Sequence, residues 1–180
     1  MAIAVDDFQT PLGVAKVDQE LAKALRKDLV DVDPEAHYSE HSIEVQLPFL
    51  QHVSPDFKFV PLCMGFQDYE ASRRVGEIVR DAVKGRDAVV IASTDMSHYV
   101  TAGTAKSRDG KALKMVEAMD PEGLYDTVRD ENISMCGYGP VMATMVACGA
   151  GKARVLKYAT SGDVRPMRDV VGYASVVIEK

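Results

Sequence analysis

Between Ala88 and Ala92 the chain reads Ala-Val-Val-Ile-Ala, apolar at every position, and at Ser93 it turns abruptly polar. An uninterrupted apolar run of strand length suits a parallel strand covered on both faces. Ahead of it, Val75, Ile78, Val79, Ala82 and Val83 repeat at the spacing of one helical face, in a helix predicted from Asp68 to a stop at Gly85. Phe57 to Met64 reads as a preceding strand, with Pro61 marking an edge or a bulge. Strand, helix and strand from Phe57 to Ala92 thus predict a right-handed βαβ unit.

Upstream, Ala2 to Val5 and Val14 to Val17 read as short strands around a turn at Thr10 to Gly13, and Asp18 caps a helix carrying Leu21 and Leu25. Leu29 to Val32 is expected as an edge strand. Asp33 and Pro34 signal a helix start, and Ile43, Leu47 and Leu50 keep helical spacing before Pro55, which predicts a helix across this region with a kink at Pro48. Downstream, helices are expected over Lys106 to Met119 and from Asp120-Pro121 to about Asn132; Pro140 then opens an apolar helix ending at Gly149. Arg154 to Ala159 and Val170 to Ile178 close the chain as strands on either side of a polar loop, Thr160 to Asp163. This alternation predicts one three-layer α/β/α domain over residues 1–180 with a central, mostly parallel sheet.

Charge narrows the partners. The chain has 21 basic and 27 acidic residues, a net charge of -6 and no basic block, which argues against nucleic acid or an anionic membrane as the main partner. No apolar run approaches the ~20 residues of a membrane span, and the N-terminus lacks a basic leader, so a cytoplasmic location is expected. Cys63, Cys136 and Cys148 have no paired spacing, so neither a disulfide framework nor a zinc knuckle is indicated. Cys63 reads as a small buried hydrophobe.

Three places carry candidate chemistry. Asp95 and His98 follow the apolar run, at the strand end where open α/β sheets hold ligands, and a carboxylate so placed can orient an imidazole as a general base. The alternative is a polar loop whose Ser93, Thr94 and Asp95 cap the next turn. His37, Glu40 and His41 spell H-x-x-E-H, the pattern of a zinc peptidase, which needs a further metal ligand. Cys136 stands at a helix N-terminus, where the macrodipole favours a thiolate, and Gly137 and Gly139 let another group approach; the alternative is a buried thiol in a glycine turn.

Several stretches together resemble the Memo family, also called AmmeMemoRadiSam system protein B. They are Glu40 to Leu50 (EHSIEVQLPFL), Ser93 to Tyr99 (STDMSHY), Cys136 to Pro140 (CGYGP), Tyr158 to Asp163 (YATSGD) and Val171 to Ser175 (VGYAS). That family is related to the class III extradiol dioxygenases, which open catechol rings with non-haem iron. The resemblance implies a three-layer α/β fold and a metal-capable pocket with His98 and Asp95 as the acid/base pair. It places Cys136, as a metal ligand, where the dioxygenases have a glutamate ligand, and implies iron or copper as the cofactor. It sets Glu40, His41, Ser93, Gly137 and Tyr138 around the ligand, and makes the H-x-x-E-H spelling accidental.

Family members carry an N-terminal portion with two histidine ligands, which this sequence does not show. The chain therefore reads as a truncated member, a fragment or half of a split protein. A non-haem site wants about three protein ligands, so activity as an oxidoreductase is expected to be impaired. The alternative function is a non-catalytic module binding a peptide or small molecule. An uncovered sheet edge predicts a homo-oligomer or a separate partner chain.

Overall fold

The computed structural model describes residues 1–179 and divides the chain into two compact units, Met1–Phe66 with Ile78–Val89, and Gln67–Glu77 with the residues from Val90 onward. The first unit holds β1 (Ala2–Ile3), β2 (Phe8–Thr10), β3 (Gly13–Val17), α1 (Gln19–Leu25), β4 (Asp31–Val32), α2 (Leu47–Val53), β5 (Lys58–Phe59) and β6 (Leu62–Cys63). Its strands form two sheets, ordered β4-β1-β6 and β2-β3-β5. Alternation along β3 buries Ala15 and Val17 and turns Val14 and Lys16 outward, as a half-covered strand requires. Asp18 starts α1 as anticipated, its carboxylate accepting the Leu21 N–H at 2.9 Å, and Ala22 and Leu25 go into the core with Ile3, Val30 and Leu47.

Two expectations for this unit need correction. The strand foreseen over Phe57 to Met64 is two short strands: β5 lies parallel to β3, and β6 antiparallel to β1. Pro61, with no N–H for a ladder, stands between them where the chain leaves one sheet for the other. Nor does a helix run from Asp33 to Pro55. Pro34–His37 and Glu44–Gln46 are separate 3-10 turns, followed by α2. The Glu40 carboxylate accepts the N–H groups of Ser42 and Ile43, which a through-going helix would have sent to carbonyls one turn back. Pro48 then falls in the first turn of α2, where a missing N–H costs nothing.

The unit boundary falls within α3 (Tyr69–Val83). This helix follows its sequence signals closely: the Asp68 carboxylate accepts the Ala71 N–H at 2.9 Å, Val75, Ile78 and Ala82 are buried, and Gly85 ends the segment at φ +74°. The Ala88 to Ala92 run beyond it does not form the buried central strand. It belongs to no sheet, and Val89 and Ile91 are 85% and 53% exposed. Apolar side chains state a preference for cover, but a parallel strand also needs ladders on both sides, and no described strand runs alongside. The βαβ unit therefore lacks its second strand. The mixed α/β class holds without a mostly parallel central sheet: among the described residues the parallel pairs are β1 with β4 and β3 with β5.

The second unit continues with β7 (His98–Val100), α4 (Ala102–Glu117), α5 (Pro121–Asp130), α6 (Tyr138–Cys148), β8 (Lys152–Thr160), α7 (Ser161–Val164) and β9 (Val170–Glu179). Its sheet, β7-β9-β8, is antiparallel throughout. Helix α4 packs on β8 and β9 and against α5, which in turn packs on α6. Ala112, Leu113 and Val116 of α4, Leu124 and Val128 of α5, and Met142 and Met145 of α6 share one core with Met96, Ile133 and Met135. Asp120 and Pro121 start α5 as the sequence indicates, the carboxylate accepting the Gly123 N–H at 2.9 Å. The loop expected after β8 is instead a single helical turn. Asp163 closes a capping box on the Thr160 N–H and hydroxyl, and these bonds hold its carboxyl below the ordinary range.

A fully buried carboxylate ties this unit together. Asp109 of α4 accepts the Ser97 N–H at 3.0 Å, the Ser97 hydroxyl at 2.6 Å and the Tyr158 hydroxyl of β8 at 2.7 Å. A Cβ at position 172 would come within 2.1 Å of the Asp109 Oδ2, so β9 passes the carboxylate only as Gly172. Burial, and then the bond to Asp109, push the Tyr158 phenol well above the ordinary tyrosine range.

Two outcomes follow. Asp109→Ala strands two hydroxyls and an N–H in the core and is expected to cost about 3 kcal/mol in urea denaturation, with Asp109→Asn milder because one acceptor remains. Tyr158 ionises more reluctantly in the folded protein than in the unfolded chain. Its contribution is therefore complete below about pH 10 and is lost as pH rises beyond it. Stability measured across that range should fall less steeply in Tyr158→Phe than in wild type; an equal slope would refute the assignment.

Candidate functional site

The site of the second unit begins with two anchored residues. The Met96 N–H donates to the Gly172 carbonyl at 2.9 Å, the Gly172 N–H donates to the Ser97 carbonyl at 2.8 Å, and Ser97 is held by Asp109. Asp95 and His98 flank this fixed pair. The His98 N–H donates to the Ser134 Oγ at 2.7 Å, and its Nδ1 lies 2.6 Å from the Ser134 carbonyl. A carbonyl only accepts, so Nδ1 carries a hydrogen, and in the neutral ring Nε2 is the proton-accepting atom. Nε2 faces the Asp95 Oδ2 at 3.5 Å.

Cys136 arrives from another part of the chain, just ahead of α6. It is exposed, and its Sγ accepts the Asp95 backbone N–H at 3.3 Å with the Thr94 hydroxyl 3.6 Å away. The Thr94 Oγ1 also accepts the Gly137 N–H at 2.8 Å. A Cβ on Gly137 would lie 2.8 Å from the Thr94 Cβ and 2.9 Å from the Ser93 carbonyl oxygen, so the two loops meet only because residue 137 has no side chain. Gln67 closes the arrangement from a third direction, donating from Nε2 to the Cys136 carbonyl at 2.9 Å and accepting the Gly139 N–H at 2.8 Å. Tyr138, in the first turn of α6, packs its ring 6.4 Å from that of Tyr125.

Asp95, His98 and Cys136, with Ser93 and Gly137, are thus brought together around residues 93–98. Thr94, Gln67, Ser134 and Asp109 complete the support, and the sequence offers none of them as a site residue. Thr94 stood inside a recognised motif, whereas Gln67 and Ser134 act through amide and backbone groups far along the chain and leave no local signal. Glu40 and His41 stand in the first unit. Burial alone would raise the Glu40 carboxyl, but the bonds from Ser42 and Ile43, with His41 alongside, hold it below the ordinary value. Cys63 is half-buried rather than enclosed, and burial, with Glu40 second, pushes its thiol up. His37 ends a 3-10 turn with its ring edge against Phe8, so H-x-x-E-H forms no helical turn presenting two imidazoles, and the peptidase reading loses its geometry.

A cavity of about 410 Å³ lies elsewhere on the second unit. It is lined by Lys111, Lys114, Asp126 and Asp130 among others, and by no residue of this cluster.

Comparison with known proteins agrees with the motifs. A family model described as Memo-like protein matches residues 1–177. A MEMO1 family protein of Methanosarcina mazei is 44% identical over 99% of this chain and 70% of its own length. Those of Methanopyrus kandleri and Methanocaldococcus jannaschii are 46% and 47% identical, each over 96% of this chain and 64% of their own length. The chain therefore spans roughly two thirds of the length of the curated relatives it matches. With a match that runs through Glu40, His41, Asp95, His98 and Cys136 alike, the chain belongs to the family of Memo-like proteins.

Proposed function

We propose that Asp95, His98 and Cys136 form a small-molecule site that keeps the acid/base part of the oxidoreductase chemistry implied by the dioxygenase resemblance. The observation that carries it is the double engagement of Asp95, whose carboxylate faces the His98 Nε2 while its own N–H donates to the Cys136 Sγ. The His98 Nε2 is the atom placed to take a proton from a bound molecule, with the Asp95 carboxylate facing it and the Nδ1–H held by the Ser134 carbonyl. Cys136 offers an exposed, polarisable sulfur to the bound molecule.

Iron or copper is the cofactor suggested by the resemblance. Among the described residues no three His, Cys, Asp or Glu side chains form a group able to hold a metal ion. Here the His98 Nε2 and Asp95 Oδ2 face one another, and a non-haem site wants about three protein donors. The donor set does not fit, and an ion at this place would need donors beyond the cluster. The second reading, a non-catalytic module for a peptide or small ligand, is favoured by the openness of the site, where the Asp95 side chain is 42% exposed.

Ligand-detected NMR with a library of small polar molecules tests both. Bound molecules should lose about tenfold or more in affinity in His98→Gln and Cys136→Ala, and a chelator should leave binding unchanged. Wild-type affinity in both variants would refute the site. A molecule turned over by wild type and not by His98→Gln assigns an enzyme; one bound and left unchanged assigns the binding module.

For a macromolecular partner we propose a second copy of the chain. The exposed run containing Val89 and Ile91 is uncharged from Ala88 to Thr94, so two copies can align antiparallel without like-charge repulsion. Sedimentation should show association that Ile91→Lys abolishes; a wild type that stays monomeric at high concentration overturns it.

A further inference from the structure

The rim of the Asp95 and His98 cluster carries two tyrosines that the fold itself hardly uses. In β7, His98 pairs with Val171 and Val100 with Val170 of β9, so Tyr99 is bulged out of the ladder between them. Its φ is +53°, in the left-handed region that L-residues avoid. The residue is 79% exposed, and its ring centroid lies 6.0 Å from that of His98. A bulge re-aims a side chain, and a backbone held against its preference, with most of the ring left in solvent, is the kind of feature that collects at ligand sites. Tyr173, next to Gly172 on β9, is 44% exposed. Its neighbour Gly172 bonds to Met96 and Ser97, the two residues between Asp95 and His98, and the Tyr173 phenol is pushed up by burial first, then by the negative charge of Asp95 and by Tyr99.

The same place wants a positive charge. The His98 Nδ1 is committed as a donor to a carbonyl, so the neutral ring sets the Nε2 lone pair opposite a carboxylate oxygen at 3.5 Å. Among the described residues no Lys or Arg forms an ion pair with Asp95. A carboxylate with aromatic rings nearby is the chemistry with which proteins hold organic cations.

We propose that Tyr99, Tyr173 and Asp95 form a subsite for an organic cation, an ammonium or methylated ammonium group carried by the small molecule bound at His98 and Cys136. The inference rests on the reading of that cluster as a ligand site and adds the charge and shape of one part of the ligand. The tyrosines supply ring faces rather than hydroxyls, so the hydroxyl of Tyr99 is dispensable and its ring is not.

The test uses tetramethylammonium as the probe and tert-butanol as a neutral molecule of similar shape, followed through the ring resonances of Tyr99, Tyr173 and His98. Tetramethylammonium should shift all three saturably and tert-butanol should not. Asp95→Asn should weaken binding about tenfold. So should Tyr99→Asn, which removes the ring while keeping a residue that tolerates the left-handed backbone. Tyr99→Phe should bind as wild type. Absence of a saturable shift, an equal response to tert-butanol, or undiminished binding in Tyr99→Asn overturns the subsite. Small polar ligands that still depend on His98 and Cys136 while tetramethylammonium has no effect would overturn the cation subsite alone. Saturable tetramethylammonium binding with no such ligand found would support the subsite and count against the wider site reading.

Discussion

The bonds converging on the Asp109 carboxylate hold the second unit in one arrangement. A charge moved into a core is costly unless its lone pairs are met by donors, and here Ser97 and Tyr158 supply three. Those donors come from β8 and from the segment entering β7, while the carboxylate belongs to a helix packed across the sheet. Satisfying one group therefore fixes the height of α4 over the strands, the start of the β7 and β9 ladder, and the positions from which Asp95 and His98 project. Gly172 shows how little slack remains, since the carboxylate occupies the volume that its Cβ would need.

The cluster inherits that rigidity. Its bonds run largely to backbone groups: the Ser134 carbonyl to His98, the Asp95 N–H to Cys136, the Gly137 N–H to Thr94, and two backbone groups to the Gln67 amide. Backbone partners are part of the fold and do not swing away as rotamers change. The chemically able atoms, the His98 Nε2 and the Cys136 Sγ, are carried on a braced frame, which is the condition for precise placement of a ligand.

Local features of this fold were legible in the sequence, and long-range ones were not. Asp18, Asp68 and Asp120 announce helix starts through bonds that span only three residues, and the apolar stripe of α3 reports burial one turn at a time. The two closing strands, β8 and β9, and the 93–98 and 136–140 segments were also readable. What failed is what depends on partners. The Ala88 to Ala92 run has a strand's composition but no neighbour to build a ladder with, and Glu40 diverts the N–H groups that a helix through residues 34–54 would need. Asp109 reads as an ordinary polar helix residue beside Gly110, because its burial is decided by Ser97 and Tyr158, twelve and forty-nine positions away.

The contrast between braced and unbraced parts bears on how the proposed site would select a ligand. A frame fixed by backbone bonds and a buried carboxylate cannot widen to suit a second ligand shape without breaking several bonds together, so adaptation is confined to groups outside those bonds. Tyr99 and Tyr173 are such groups: the first is out of register with its ladder, and the second is partly exposed on β9 beside Gly172. Were the cluster to bind a ligand as proposed, selectivity at His98 and Cys136 would belong to the rim, while the cluster beneath kept the same geometry. Changes in the rim can redirect recognition at little cost to folding, whereas changes at Ser97, Asp109 or Gly172 reach the site only by disturbing the core.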